Sequence, residues 1–241
     1  MAALGERPHL ELRGLKRRGD VRGAVISLTG STVEELRRAS ALAAGLTDRC
    51  LLVAVDGGLR SCLRSGNRPD LLIGDLDSAR QVPEDLPSVN FQRDKDFSDL
   101  SGALSELRDR KIDLVTIAGL LGGRLDHEWA NLLECGSWAR HFSGFVAPTK
   151  RGTVVITSKG CRAVTVPRRT LSIFALSAAA TVTLTGCKWE LQRRRLRPGS
   201  HGLSNCSKTD LDLTVHSGTV ALVFLPPPRR RRKVKAKAAA S

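Results

Sequence analysis

Short apolar runs alternate with helical periodicity over the first half of the chain and give way to closely spaced β-branched runs in the second. AVISL at 24–28, LLVAV at 51–55, DLLIG at 70–74 and DLVTIAG at 113–119 are each too short for a helix and predict buried strands. Ser31 followed by Glu34 predicts a capping box opening a helix that runs to Ala44. Leu100, Ala103, Leu104 and Leu107 fall on one face of a second helix. In a third, Leu125, Trp129, Leu132 and Leu133 form the apolar stripe, with Arg124, His127 and Asn131 on a different, solvent-facing side. Strands alternating with helices predict an α/β fold whose parallel sheet is covered on both sides.

Beyond about residue 142 the helical period is lost. TVVITS, CRAVTV, LSIFALS, ATVTLTG, LDLTVHS and TVALVFL are separated by Gly, Ser, Pro or Lys, the pattern of an antiparallel sandwich or barrel. The division expected is an extension at 1–22, an α/β domain at 23–147, an all-β domain at 148–226 and a basic tail at 227–241.

Charge changes this picture less than its size implies. The chain of 241 residues carries a formal +15, but seven basic residues lie in the tail RRRRKVKAK, and 15 less 7 leaves +8. A nucleic-acid-binding reading would use that tail together with Arg193, Arg194, Arg195 and Arg197. The aromatic interleaving used for base stacking is absent from these runs. The six cysteines have no C-x-x-C spacing, and no apolar stretch reaches the ~18 residues of a membrane span. A cytoplasmic protein with reduced thiols is expected.

Candidate chemistry gathers at the strand ends. GDLDS at 74–78 follows an apolar run, and the carboxyl end of a parallel strand enters the crevice where open α/β sheets bind ligands. Asp75 and Asp77 supply the hard oxygens that magnesium takes together with phosphate oxygens, although Asp and Ser also make ordinary turns. KDFSD at 95–99 adds Lys95, Asp96 and Asp99, the last in a first helical turn where the helix dipole favours a negative group. In GLLGGRLDH at 119–127 the glycines admit a phosphate chain to helix-start amides, and Arg124 offers a fork of donors. Asp56, Gly57 and Gly58 end a further strand. Ends of one parallel sheet share an edge, so these groups converge on one crevice. No G-x-x-x-x-G-K-[ST], G-x-G-x-x-G or H-E-x-x-H occurs.

Taken in order, VDGGL at 55–59, RPDLLIGDLDS at 68–78, KDFSDL at 95–100, GLLGGRLDHEWAN at 119–131, TGCKWEL at 185–191 and GLSN at 202–205 resemble the thiamine pyrophosphokinase family over roughly residues 24–225. Ser98 stands where that family usually has Thr, Leu125 where Phe is common, and Glu128 and Trp129 are less typical of it. The resemblance implies a Rossmann-like ATP-binding domain, a β-sandwich that helps bind thiamine, and homodimers with active sites at the subunit interface. It implies that Asp75, Asp77 and Asp99 hold Mg2+ with Asp126 nearby, and that Arg124, Lys95, Gly122 and Gly123 handle phosphates. Asp56, Gly57, Asp96, His127 and Asn131 complete the ATP site. Trp189 would stack on thiamine, with Ser204 and Asn205 giving it polar contacts. A relative with a changed acceptor or lost activity remains an alternative.

Overall fold

A computed structural model describes residues 9–13, 21–74, 82–92 and 95–226. In chain order the strands and helices are β1 (His9–Leu12), β2 (Arg22–Ser27), α1 (Val33–Leu46), β3 (Arg49–Val55), α2 (Leu59–Arg64), β4 (Leu71–Gly74), β5 (Ser88–Asn90), α3 (Asp99–Asp109), β6 (Leu114–Ala118) and α4 (Leu125–Trp138). They continue with β7 (Gly144–Thr149), β8 (Gly152–Thr157), β9 (Gly160–Val164), β10 (Thr170–Ala175), β11 (Ala180–Cys187), β12 (Leu191–Leu196), β13 (Asn205–Ser217) and β14 (Val220–Phe224). Single 3-10 turns follow β3 (Asp56–Gly58) and α4 (Ala139–His141).

The result is a mixed α/β molecule with a large sheet and few helices. Strands run parallel in the order β5-β4-β3-β2-β6-β7, and antiparallel pairing then continues through β8, β14 and β10 to β13. Burial explains why β2, β4 and β6 read as unbroken apolar runs: after Arg22 all their residues are buried, and alternate side chains pack on opposite faces. Ala24, Ile26, Val53, Ile73 and Ile117 meet Leu100, Leu104 and Leu107 of α3, while Val25, Ala54 and Leu72 meet Leu36, Ala39 and Ala43 of α1. Each fully buried Leu or Ile contributes on the order of 2 kcal/mol through apolar area removed from water.

Two expectations need correction. The capping box lies one residue later: Thr32 Oγ1 accepts from the Glu35 amide (3.2 Å), and Glu35 Oε2 accepts from the Thr32 amide (3.1 Å). Ser31 is unavailable because its buried hydroxyl turns inward to Ser27 Oγ at 2.9 Å. Most of the apolar stripe of α4 faces outward, with Leu125 71%, Trp129 63% and Leu133 58% exposed, while Leu132 packs against the core. The helix is anchored instead at its C-terminal end, where Cys135 is buried and Gly136 lies against Leu176. The segment 1–22 expected as an extension contributes β1, which pairs with β9.

Among the described residues β12 pairs with β11 alone. Its exposed Gln192, Arg193, Arg194 and Arg195 put charge on a sheet edge, which discourages further strand pairing. If Thr32 is the cap, Thr32→Ala lowers stability by about 0.5–2 kcal/mol in urea unfolding. An unchanged midpoint would place the cap elsewhere.

Candidate active site

The chain builds β2, β3, β4 and β5 in one direction and then crosses back to set β6 on the other side of β2. This reversal leaves a crevice at the carboxyl ends of β2 and β6, where an open sheet has room for a ligand. A cavity of about 640 Å³ occupies the place. Leu28, Thr29 and Gly30 line it from β2, Val55 and Asp56 from β3, and Gly119, Gly123 and Arg124 from the connection after β6. Ser98 and Asp99 enter from the start of α3, and His127, Glu128 and Asn131 from α4.

Close backbone packing brings these ends together. A Cβ on Gly58 would stand 1.8 Å from the Ser27 carbonyl oxygen, and one on Gly74 would stand 1.7 Å from Asp56 Oδ1. At Gly58 the neighbour is backbone, so only glycine allows the approach, whereas at Gly74 it is the Asp56 side chain and the φ of +145° is what favours glycine. The Gly57 amide donates to Thr29 Oγ1 at 3.1 Å, and Ser27 Oγ donates to the Gly58 carbonyl at 3.0 Å. The turn carrying Asp56 is thereby tied to the end of β2.

Around this frame the charged groups are held in pairs. Asp99 is paired with Lys95, whose side chain is only 10% exposed and whose ammonium lies 5.2 and 5.8 Å from the ring centres of Phe91 and Phe97. Ser98 caps α3 by accepting from the Ser101 amide at 3.0 Å. Arg124 grips Asp126 with both ends of its fork, Nε to Oδ1 at 3.2 Å and Nη2 to Oδ2 at 2.6 Å. That contact holds the exposed Asp126 carboxyl below the usual carboxylate range. Glu128 accepts from the Gly122 amide, occupying a donor of the glycine loop. Asn131 Nδ2 donates to the Leu120 carbonyl at 3.4 Å.

Of the residues expected at the site, Asp56, Asp99, Gly123, Arg124, His127 and Asn131 line the cavity. Lys95 reaches it through Asp99, Gly57 through Thr29, and Gly122 and Asp126 lie beside it through Glu128 and Arg124. Asp96 is exposed and is not among the lining residues. Asp75 and Asp77 lie outside the described residues. Among the described residues no group of three or more His, Cys, Asp or Glu could hold a metal ion. Asp56 and Asp99 nevertheless give the cavity two hard oxygen donors of the kind magnesium takes. Thr29, Gly30, Ser98 and Glu128 were missed as lining residues. The Thr-Gly after AVISL carried the same strand-end signal as the other loops.

In the β-rich half, Trp189, Ser204 and Asn205 do not line this cavity. Trp189 is 53% exposed, with the Lys188 ammonium 4.3 Å from its ring centre. Ser204 is exposed, whereas Asn205 is buried and bonded to the Trp189 backbone.

Residues 44–142 match the family model described as "Thiamin pyrophosphokinase, catalytic domain", and residues 154–220 match "Thiamin pyrophosphokinase, vitamin B1 binding domain". The chain belongs to the thiamin pyrophosphokinase family. A Bacillus subtilis protein named thiamine pyrophosphokinase is 34% identical over 95 residues, 36% of this chain and 44% of that protein. The match to that curated relative thus spans less than half of its length. Solved thiamine pyrophosphokinases share the fold. The structure from B. subtilis aligns with TM-score 0.70 at 20% identity, covering 86% of this chain and 100% of the other. The one from Candida albicans aligns with TM-score 0.66 at 13% identity, covering 86% and 90%.

Asp99→Asn leaves the largely buried Lys95 ammonium without its anion, so it should cost on the order of 1–3 kcal/mol in urea unfolding. Adding Lys95→Met should recover part of that loss. An unchanged midpoint in Asp99→Asn would show that the pair contributes nothing to the fold.

Proposed function

We propose that this protein is a thiamine pyrophosphokinase, transferring the terminal pyrophosphate of ATP to the hydroxyl of thiamine and giving thiamine diphosphate and AMP. The observation that carries the reading is the cavity at the strand reversal, lined by Asp56, Asp99 and Arg124 within a chain of this family. The glycine loop and Arg124 suit a polyphosphate, because backbone amides and guanidinium donors match phosphate oxygens, and a phosphate would displace Glu128 from the Gly122 amide. Gly122, Gly123, Arg124 and Lys95 bind the phosphates, and Asp56, Gly57, His127 and Asn131 surround the rest of ATP, with Asp96 at the rim outside the cavity lining. Asp126 holds the Arg124 plane in orientation. Asp99, with Asp75 and Asp77, would hold Mg2+, which neutralises charge on the polyphosphate when bound. The thiamine hydroxyl oxygen forms a bond to the β-phosphorus as the bond from that phosphorus to the AMP oxygen breaks, and the hydroxyl proton passes to a carboxylate. Such transfer asks mainly for positioning and charge neutralisation.

The cationic thiazolium ring of thiamine stacks on Trp189, an attraction of roughly 1–2 kcal/mol when desolvated. Ser204 adds a polar contact. Because Trp189 lies apart from the cavity while α4 exposes Leu125, Trp129 and Leu133, we read the active enzyme as a homodimer in which one subunit's Trp189 completes the other's cavity. We read the chain as a Rossmann-like ATP domain at 23–147 and a β-sandwich at 148–226, a division supported by the change from parallel to antiparallel pairing at β7 and β8. The sandwich reading rests on a core that joins Ile173 and Leu222 of β10 and β14 to Ala163, Leu184 and Leu213 of β9, β11 and β13. Six free thiols suit a reducing cytoplasm, and no described helix is long and apolar enough to cross a membrane. The basic tail lies outside the described residues, and nothing favours the nucleic-acid reading over the enzyme.

Purified protein incubated with ATP, Mg2+ and thiamine should yield AMP and thiamine diphosphate in equal amounts; AMP formed only on another alcohol would reassign the acceptor. Asp75→Asn should abolish turnover with an unchanged Tm. The double change Leu125→Glu, Trp129→Glu should convert dimer to monomer in light scattering and remove turnover. Turnover retained by a monomer would contradict the shared site.

A further inference from the structure

Trp189 sits at the tip of a three-residue connection, 188–190, between β11 and β12. With 53% of its surface exposed, the indole is not fixed by a surrounding core. Its direction depends on the backbone that carries it. That backbone is held at both its N–H and its C=O by Asn205, the first residue of β13 and only 6% exposed, while Cys187 Sγ donates to the Trp189 carbonyl alone, at 3.3 Å.

Asn205 Oδ1 accepts from the Trp189 amide at 3.1 Å and from the Cys206 amide at 2.8 Å. Its Nδ2 donates to the Trp189 carbonyl at 2.8 Å and to Cys187 Sγ at 3.3 Å. The two amide donors fix which end of the carboxamide is oxygen. One planar group therefore holds both the N–H and the C=O of Trp189, restricting the peptide planes on either side of it. The Lys188 amide, donating to the Cys206 carbonyl at 2.8 Å, ties the same turn to the same strand. A carboxamide has two acceptor lone pairs and two donor hydrogens, and here all four are engaged. Asn205 has no polar capacity left for a ligand unless one of these bonds breaks.

Lys188 adds a constraint on the face that is used. Its ammonium lies 4.3 Å from the indole centre, so a second cation stacking there would meet like charge. The opposite face of the ring is the one suited to a cationic ligand.

We infer that Asn205 is a positioning residue that acts on thiamine only through Trp189, by fixing the turn that presents the open face of the indole. This rests on the proposed thiamine site. The test is a double-mutant cycle on thiamine affinity, measured by calorimetry with a non-hydrolysable ATP analogue bound, using wild type, Asn205→Ala, Trp189→Ala and the double variant. Each single change should weaken thiamine about tenfold, the equivalent of one favourable cation–π contact. The double variant should be no weaker than Trp189→Ala, and analogue affinity should stay within about twofold throughout. If Asn205→Ala weakens thiamine by the same factor with and without Trp189, Asn205 touches the ligand directly and the inference is overturned.

Should Asn205→Ala fail to fold, Asn205→Asp keeps both acceptor bonds, removes the Asn205 donors to the Trp189 carbonyl and Cys187 Sγ while leaving the Cys187 thiol on that carbonyl, and enters the same cycle with the same expected coupling. Full thiamine affinity in a folded Asn205→Asp would overturn the inference as well. A wild-type protein that binds the analogue but no thiamine would sink the thiamine reading itself, a result visible before any variant is made.

Discussion

Close packing at two glycines, Gly58 on backbone and Gly74 on the Asp56 carboxylate, sets the distance between the strand ends, and the rest of the site depends on it. Gly58 rests on the Ser27 carbonyl at a separation that no Cβ could share, and Gly74, at φ +145°, lies beneath the Asp56 carboxylate. Strand order brings the carboxyl ends of β2, β3 and β6 to one edge, but it is this contact that draws the turn at Asp56 into the wall of the cavity. The bond from the Gly57 amide to Thr29 then links the two loops chemically. Buried, doubly covered strands supply the rigidity on which this arrangement stands.

Electrostatic organisation follows from the frame. Every charged group near the cavity for which a contact has been described is held by a neighbour: Asp99 by Lys95, Asp126 by Arg124, and Glu128 by the Gly122 amide. Groups fixed in this way need little rearrangement when charge moves, which is how preorganised sites lower a barrier. Glu128 is the revealing member, because its carboxylate takes an amide that a phosphate oxygen would also seek. In this structure that amide is satisfied from within the chain.

The parallel core was legible because burial on both faces leaves an apolar run that periodicity detects, as at 24–28 and 113–119. Strand-end glycines and aspartates were legible for the same reason, since they follow such runs directly. Where several side chains offered the same chemistry, pattern alone chose wrongly: Ser31 and Thr32 are both good caps, and only the inward turn of Ser31 toward Ser27 decides between them. The α4 stripe shows a different limit, because amphipathic spacing reveals that a helix has an apolar side but not what covers it. β12 was hidden by LQRRRL, whose charge suits an edge and reads as a solvated run. The engagement of Asn205 with Trp189 joins residues 16 apart in sequence, and no local pattern announces it.

The central claim is that the ends of β2, β3 and β6 form one nucleotide cavity. Amide chemical-shift mapping with a non-hydrolysable ATP analogue tests it most directly. The account predicts that the largest changes fall together on Gly30, Gly57, Asp99 and the loop from Gly119 to Arg124. Changes confined to the arginines of β12, with those amides undisturbed, would contradict it.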